Sequence, residues 1–333
     1  MSVFVPYGEK IMAEIMKKRA EKIKEATREA IHLNNWTIRS EGAREFVATT
    51  MYDGTQNDGD YEVKIEINED LGIVKATSFF LRDVNINDEM IMLITEFNRY
   101  VSIGSFILVG DMLGFKSDLP YHDSLIETWA ITEFLSNVEF CMDNADDLLD
   151  MFNKGLRSFH YCEEEFAKRL GIYYDGYFYD EKEVDKQYER MKVAIEKSGY
   201  EIKQIVSQAR MCHILKYNGG VPLGIYCFVV GEGSVIRIAC HIEASFKEED
   251  EAKGARASLL LSNLTKIGTC EMPEDHIMLK IDIHYNGSII SKALIGYMID
   301  EAIEFGEKYS DLIYKLADGA ISYGEFAIRA LHL

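Results

Sequence analysis

The side chains best suited to chemistry in this chain are histidines and cysteines that stand next to each other. Cys212-His213 and Cys240-His241 are adjacent pairs, and His160 lies two residues before Cys162. A metal site needs three or four side chains that converge on one point. Both adjacent pairs lie in apolar, strand-like runs, where consecutive residues point to opposite faces, so one member of each pair must face away. We therefore expect no metal site and no bound cofactor.

Nucleophilic and acid–base chemistry are also poorly supported. A reactive cysteine needs an electropositive pocket, whereas these cysteines lie in apolar or acidic surroundings that raise the thiol pKa. No G-x-S-x-G, P-loop or H-E-x-x-H motif occurs, and Gly231–Ser234 is typical of a hairpin turn because it lacks a lysine and a following helix. The acidic cluster 143–147 is interpreted as a solvated part of a helix. The sequence predicts a protein that is not an enzyme, with no catalytic residues.

Charge and hydropathy exclude further classes. The chain carries 36 Lys and Arg against 56 Asp and Glu, a net charge of −20. Nucleic-acid binding is disfavoured, because its affinity comes mainly from basic residues that neutralise phosphates. No apolar run of membrane-spanning length and no signal-peptide pattern are present, and the six cysteines form no C-x-x-C pair. We expect a cytoplasmic protein with reduced thiols, no disulfide and no membrane contact.

The sharpest local signal is an aromatic run near the middle of the chain. It comprises Tyr173, Tyr174, Tyr177, Phe178 and Tyr179. Tyrosine and phenylalanine anchor interfaces because they bury a large area with few rotatable bonds. The run could join two parts of the chain or form a surface for an external partner. We favour the contact within the chain, because an open cluster of this size would promote aggregation.

The chain also repeats its own layout at a fixed offset, as Trp36 and Tyr200 illustrate. Residues 17–52 have the layout of residues 181–217, with a charged amphipathic run followed by an aromatic residue, and Asn98 and Gly155 recur as Asn263 and Gly319. A fixed period of this length determines the architecture. We predict two tandem repeats, 1–165 and 166–333.

Each repeat has the predicted order α-β-β-β-α-β-β-α. Residues 61–68 alternate strictly between apolar and charged, as in a half-buried antiparallel strand, and glycine-rich turns join successive strands. Amphipathic helices are predicted over 10–33 and 182–197, and a long helix ends at Gly155 and at Gly319. Hairpin-linked strands with grouped helices describe an α+β fold with an antiparallel sheet in each repeat.

This order resembles that of the YbjN-type proteins, which are bacterial sensory-transduction-regulator-like proteins similar in fold to type III secretion chaperones. The similarity extends over nearly the whole chain as two copies, and its most specific match is Glu96-Phe97-Asn98-Arg99 followed by Gly104. The second copy departs from it with Ser262-Asn263-Leu264-Thr265. The resemblance implies a role in protein interaction or regulation, without known chemistry.

Two functional interpretations remain open. The first is a non-enzymatic interaction or chaperone-like protein, a monomer that acts as a pseudo-dimer and binds a peptide or protein partner. Fusing two copies makes the contact between them intramolecular, at a high effective concentration. The alternative is an enzyme or small-ligand binder with a pocket between the repeats, where ligand sites commonly occur.

Overall fold

A computed structural model describes residues 7–50, 61–101, 103–122, 124, 126–174, 181–218, 221–230, 235–284 and 291–333. It contains two similar units. The first consists of α1 (Tyr7–Leu33), β1 (Thr37–Glu41), β2 (Glu45–Thr49), β3 (Glu62–Asn68), β4 (Ile73–Leu81), α2 (Asp88–Tyr100), β5 (Ser105–Val109), β6 (Met112–Pro120), α3 (Thr128–Asn153) and α4 (Phe159–Tyr174). The second consists of α5 (Glu181–Lys197), β7 (Gln204–Val206), β8 (Met211–Asn218), β9 (Val221–Val230), β10 (Val235–Ile242), α6 (Glu251–Leu264), β11 (Thr269–Glu271), β12 (Ile277–His284), α7 (Lys292–Ala317) and α8 (Tyr323–His332).

The two sheets have the same topology. Their strand orders are β1-β2-β3-β4-β6-β5 and β7-β8-β9-β10-β12-β11, and every pairing is antiparallel. In each unit the first and third helices pack together on one side of the sheet, α1 with α3 and α5 with α7. The predicted α+β fold with two antiparallel sheets is confirmed.

Hydrophobic alternation determines which way the strands face. In β3, Val63, Ile65 and Ile67 are buried while Glu62 and Lys64 are exposed, as predicted. A one-residue shift in register would turn every apolar side chain of this strand to solvent, so the pattern specifies the register strongly.

Each unit contains a strand and a helix that the predicted order lacked. Strands β1 and β7 precede the predicted ones and lie at the sheet edges, where β1 is polar and largely exposed and therefore shows no alternation. Helices α4 and α8 follow the long helices α3 and α7. Helix α4 packs on α2 and α3, and the ring of Phe166 stacks on that of Phe97 with centroids 3.9 Å apart.

The repeated element order also bears on the junction between the units. The predicted boundary between residues 165 and 166 falls inside α4, whereas α4 matches α8 as the last element of its unit.

The glycine-rich stretch 231–234 lies outside the described residues, as does most of the connection between β12 and α7.

The residue pairing between α2 and α6 differs by one position from the predicted one. Asn98 bonds both backbone groups of Phe106, with its Nδ2 3.1 Å from the carbonyl oxygen and its Oδ1 2.6 Å from the amide nitrogen. Ser262 makes the same two contacts with Cys270, at 2.9 and 2.8 Å. Ser262 is therefore the counterpart of Asn98, and the predicted pairing of Asn98 with Asn263 is corrected by one position.

The two units meet through corresponding elements. Helix α2 and strands β5 and β6 of the first unit pack against α6, β11 and β12 of the second. The short edge strands β5 and β11 are thus covered, while β1 and β7 remain as the outer edges. No helix in the described part of the chain has the length and apolar character needed to cross a membrane.

Candidate partner-binding face

The predicted aromatic contact lies beyond what the structure describes. Tyr173 and Tyr174 end helix α4, but their side chains fall outside the described residues, as do Tyr177, Phe178 and Tyr179 entirely. Their role between the units remains a prediction.

Buried polar groups form one part of the contact that the structure shows between the units. From β6, Lys116 directs its Nζ to the end of α6 and the loop after it, 3.0 Å from the carbonyl oxygen of Ser262 and 3.2 Å from that of Gly268. Two residues later, Asp118 accepts a hydrogen bond of 2.9 Å from the amide of Gly268. Desolvation lowers the pKa of Lys116, because burial disfavours its charged form.

The second unit returns this contact from the corresponding strand. Lys280 occupies the position on β12 that Lys116 occupies on β6, and its Nζ is 3.3 Å from the carbonyl oxygen of Val101 in the loop after α2. Lys280 also forms a buried ion pair with Glu271. The two lysines therefore form reciprocal hydrogen bonds to the other unit, around the ends of α2 and α6.

The cavity at this contact is small. Gly104, Asp118, Gly268, Lys280 and Asp282 are among the residues around a space of about 10 Å³. That volume admits about one water molecule.

A different surface, on the second sheet, is open. Cys212 approaches the Tyr188 hydroxyl of α5 at 4.0 Å, and Leu223 and Cys240 pack against Gly306 of α7. Because side chains alternate along a strand, the residues next to these three point to the opposite side of the sheet. We call that side of β8, β9 and β10 the open face; its partly exposed side chains include Met211, His213, Tyr226, Phe228, Arg237 and His241.

Aromatic rings at the centre of the open face pack closely. The ring of Tyr226 stacks on His213 with centroids 4.5 Å apart and planes 4° apart, and it meets His241 edge to face at 4.7 Å. Gly224 makes room for this arrangement, because a Cβ there would lie 2.8 Å from the Tyr226 ring. His241 Nδ1 lies within hydrogen-bonding distance of His276 Nε2, at 3.0 Å.

Carboxylates rim one end of the open face. Glu243 and Glu274 are exposed, and Asp275 lies 3.4 Å from His276 Nδ1. Burial, followed by the neighbouring His276 and His213, lowers the pKa of His241 to about 4, so its ring is neutral at pH 7. Burial and Glu243 raise the pKa of Tyr226, so its phenol keeps its proton. The rings of Tyr226 and His241 are therefore uncharged, Arg237 on the same face is paired with Asp282 at 2.7 Å, and this rim is acidic.

The first sheet has a different surface at the same place. Asp118 and Asp282 occupy matching positions on β6 and β12, so the strand registers align the two faces residue by residue. Three positions that align in the two sheets are charged in the first and apolar or aromatic in the second: Glu45, Lys64 and Glu66 against Met211, Tyr226 and Phe228. Lys64 pairs with both glutamates at 3.0 Å, and all three charged side chains of this network are solvated.

The histidines and cysteines near this face can be described individually. Within the described residues, no three His, Cys, Asp or Glu side chains are grouped so that they could hold a metal ion. All six cysteines are free and buried, and burial raises the pKa of Cys240 to about 12. His213 and His241 lie on the open face while their neighbours Cys212 and Cys240 face the helices, as the alternation predicted.

The sequence reading missed the open face because its residues are far apart along the chain. Met211, Tyr226 and Arg237 come from three strands and adjoin only through the register of the sheet. A strand-by-strand comparison of the two repeats would have revealed it, because charged residues in one copy are replaced by apolar ones in the other.

The acidic cluster in α3 also differs from its interpretation. Asp146 and Asp147 are buried, not solvated, and Asp147 Oδ1 accepts a hydrogen bond of 2.6 Å from Arg169 of α4.

Comparisons with known proteins add no identity: the chain matches no protein-family model, no curated protein and no solved structure.

Proposed function

We propose that this protein is a non-enzymatic interaction module, a fused pseudo-dimer whose open face binds a basic, apolar segment of a partner protein. One observation carries the proposal. The second sheet presents partly exposed Met211, Tyr226 and Phe228 where the first sheet presents a solvated network of charged side chains.

The residue types favour a macromolecular partner. Tyrosine, phenylalanine and methionine are enriched at the centres of protein interfaces. The rings of His213 and His241 hold Tyr226 from two sides, so binding would cost little side-chain entropy. Helices α5 and α7 pack on the other side of these strands, which leaves room for an added layer.

Charge specifies the kind of segment. Glu243, Glu274 and Asp275 rim the face, and the whole chain carries −20. Attraction to such a surface speeds association with a basic partner and repels an acidic one. A segment that interleaves basic and apolar side chains complements both the centre and the rim.

The contact between the units determines how the two sheets lie relative to each other. Reciprocal bonds from Lys116 and Lys280 fix the two sheets relative to each other without a second chain. The first unit can then keep a solvated, charged face while the face of the second unit binds a partner. The alternative of a ligand pocket between the units has less support, since the described residues there surround about 10 Å³.

The test replaces the apolar triad with its charged counterpart from the first sheet. In Met211→Glu/Tyr226→Lys/Phe228→Glu, the open face acquires the charges of the other copy. Fluorescence polarisation would measure binding of three short labelled peptides, which alternate Lys with Leu, Glu with Leu, and Lys with Ser. We expect the Lys-Leu peptide to bind at least tenfold more tightly than the other two, and the variant to lose that preference.

Two controls make the result specific. Glu45→Gln/Lys64→Gln/Glu66→Gln alters the first sheet equally and should leave binding unchanged. The single variant Phe228→Glu, with circular dichroism and thermal unfolding, separates lost binding from lost fold. Equal binding of all three peptides, or full binding by the folded variants of the open face, would refute the proposal.

A further inference from the structure

A second candidate site lies on the other side of the second unit, in a groove between α5 and the first turn of α7. The groove is partly open to solvent and has a volume of about 550 Å³, within the range of roughly 300–1,000 Å³ typical of small-molecule sites. Ser198, just after α5, packs against Gly296 of α7, where a Cβ would lie 2.5 Å from the serine hydroxyl. The two helices therefore approach closely at this end of the groove.

Apolar side chains form the walls of this groove. Ala194 and Ile295 are buried, Ile236 of β10 contributes from the sheet, and Val193 is 43% exposed at the mouth. Contact with such walls favours an alkyl chain, because each buried methylene contributes about 0.8 kcal/mol in transfer from water.

Cations surround the mouth. Arg190, Lys197 and Lys292 line the groove, all three are exposed, and none forms an ion pair within the described residues. The one lining carboxylate, Glu189, is paired with Lys192 at 2.8 Å. Three unpaired cations at one apolar groove are unusual in a chain of net charge −20, and they attract an anion.

The first unit lacks these features. Its corresponding positions carry Ala26, Leu33 and Thr128 in place of the three cations, and Glu29 in place of Val193. Both the charge and the apolar mouth thus belong to the second unit alone, which argues against a general surface property of the fold.

We propose that this groove binds an anionic amphiphile, with the anionic headgroup at Arg190, Lys197 and Lys292 and the apolar chain against Val193, Ala194 and Ile295. Neither charge nor shape alone specifies this ligand class. The cations select a carboxylate or phosphate headgroup, and the apolar walls of the groove select a molecule with a chain attached. The site is independent of the open face, from which the sheet separates it.

Isothermal titration calorimetry on the full chain tests this with three probes below their micellar concentrations: dodecanoate, dodecyltrimethylammonium and inorganic phosphate. We expect dodecanoate to bind, and the cation with the same chain and the phosphate without a chain to bind at least tenfold more weakly. Binding of dodecanoate should weaken as salt rises, because the headgroup contacts are solvent-screened.

Two variants assign the site. Arg190→Ala/Lys197→Ala/Lys292→Ala should weaken dodecanoate binding about tenfold, the sum of three modest exposed ion pairs. Val193→Glu, which restores the residue of the first unit, should abolish it. The control Lys22→Ala/Lys168→Ala/Lys247→Ala removes the same charge elsewhere and should bind normally.

All substituted positions are exposed, and unchanged thermal unfolding would verify the fold. Three results would each overturn the assignment. They are equal binding of dodecanoate and dodecyltrimethylammonium, unchanged affinity in the Arg190/Lys197/Lys292 variant, and phosphate binding as tight as dodecanoate binding.

Discussion

Three carboxylates on one stripe of α3 have unusual surroundings. Glu139 accepts a hydrogen bond of 2.9 Å from the Trp36 indole, and Asp146 accepts one from the Tyr61 hydroxyl. Asp143 lies between them and is half-buried. Burial, followed by the charges of Glu139 and Asp146, raises the pKa of Asp143 to about 8. The folded protein therefore holds a proton at pH 7 that the unfolded chain releases.

This linkage gives a prediction for Asp143→Asn. Between the unfolded pKa of 3.8 and the folded value of about 8, the native state binds more protons than the unfolded state, so stability falls as pH rises. The asparagine variant lacks this cost. We expect it to exceed the wild type by about 1–2 kcal/mol at pH 8, after allowance for solvent screening, and to match it at pH 4. Urea unfolding at both pH values measures the difference, and Asp150→Asn, whose carboxylate pairs with Lys154, is the control. An equal shift at both pH values would contradict the linkage.

At the residue level, the sequence predicted which side of a strand a side chain faces but not whether it is buried. Alternation correctly placed Cys212 and Cys240 on the side opposite their histidines, because period-two geometry is local. It could not predict that Asp146 and Asp147 are buried, since their partners Tyr61 and Arg169 come from β3's start and from α4. Ionisable side chains in a helix become buried through contacts with residues distant in the chain, and the spacing of residues within the helix does not indicate those contacts.

At the level of elements, strongly periodic segments were predictable and weakly patterned ones were not. The alternating strand β3 and the long helices α3 and α7 follow from apolar spacing. Strand β11 has only three residues, all buried, and β1 is largely exposed, so neither shows a period. Such strands form because a neighbouring strand supplies hydrogen bonds, which is a tertiary effect.

The turn after α6 gives a prediction at this scale. Gly268 has a φ of +81°, and a Cβ there would lie 2.4 Å from the Lys280 carbonyl oxygen. Gly110 has a similar φ of +60° but nothing within 4 Å. Gly110→Ala should cost about 1 kcal/mol of stability from the left-handed backbone alone. Gly268→Ala should cost clearly more, because backbone must also move. Chemical denaturation compares the two, and equal losses would show that β12 yields freely at this point.

For the whole molecule, the repeat was visible in the sequence but the contact between the units was not. Lys116 and Lys280 recur in step, as do Asp118 and Asp282, yet a repeated lysine in a strand more often indicates a solvated face. Here each lysine is buried because the loop of the other unit covers it. The aromatic run 173–179 drew attention instead, since local composition is easier to see than a contact between segments far apart in the chain.

The last prediction separates these two candidate contacts. A protease site inserted between α4 and α5 would cut the chain in the native state. We expect the halves to co-elute in size-exclusion chromatography, because α2, β5 and β6 pack against α6, β11 and β12 without the connection between α4 and α5. Lys116→Met/Lys280→Met should make them separate after cutting, since each substitution leaves buried carbonyl groups unbonded at about 1–3 kcal/mol.

The exposed pair Lys154→Met/Lys315→Met, one in each unit, is the matched control and should co-elute. If the wild-type halves separate on cutting, the continuous connection holds them, and the predicted contact through Tyr177 and Phe178 gains support. If the variant of the buried lysines stays together as firmly as the control, apolar packing holds the units. The reciprocal lysines would then fix their orientation but not their association, because buried polar groups can specify a geometry without adding net stability.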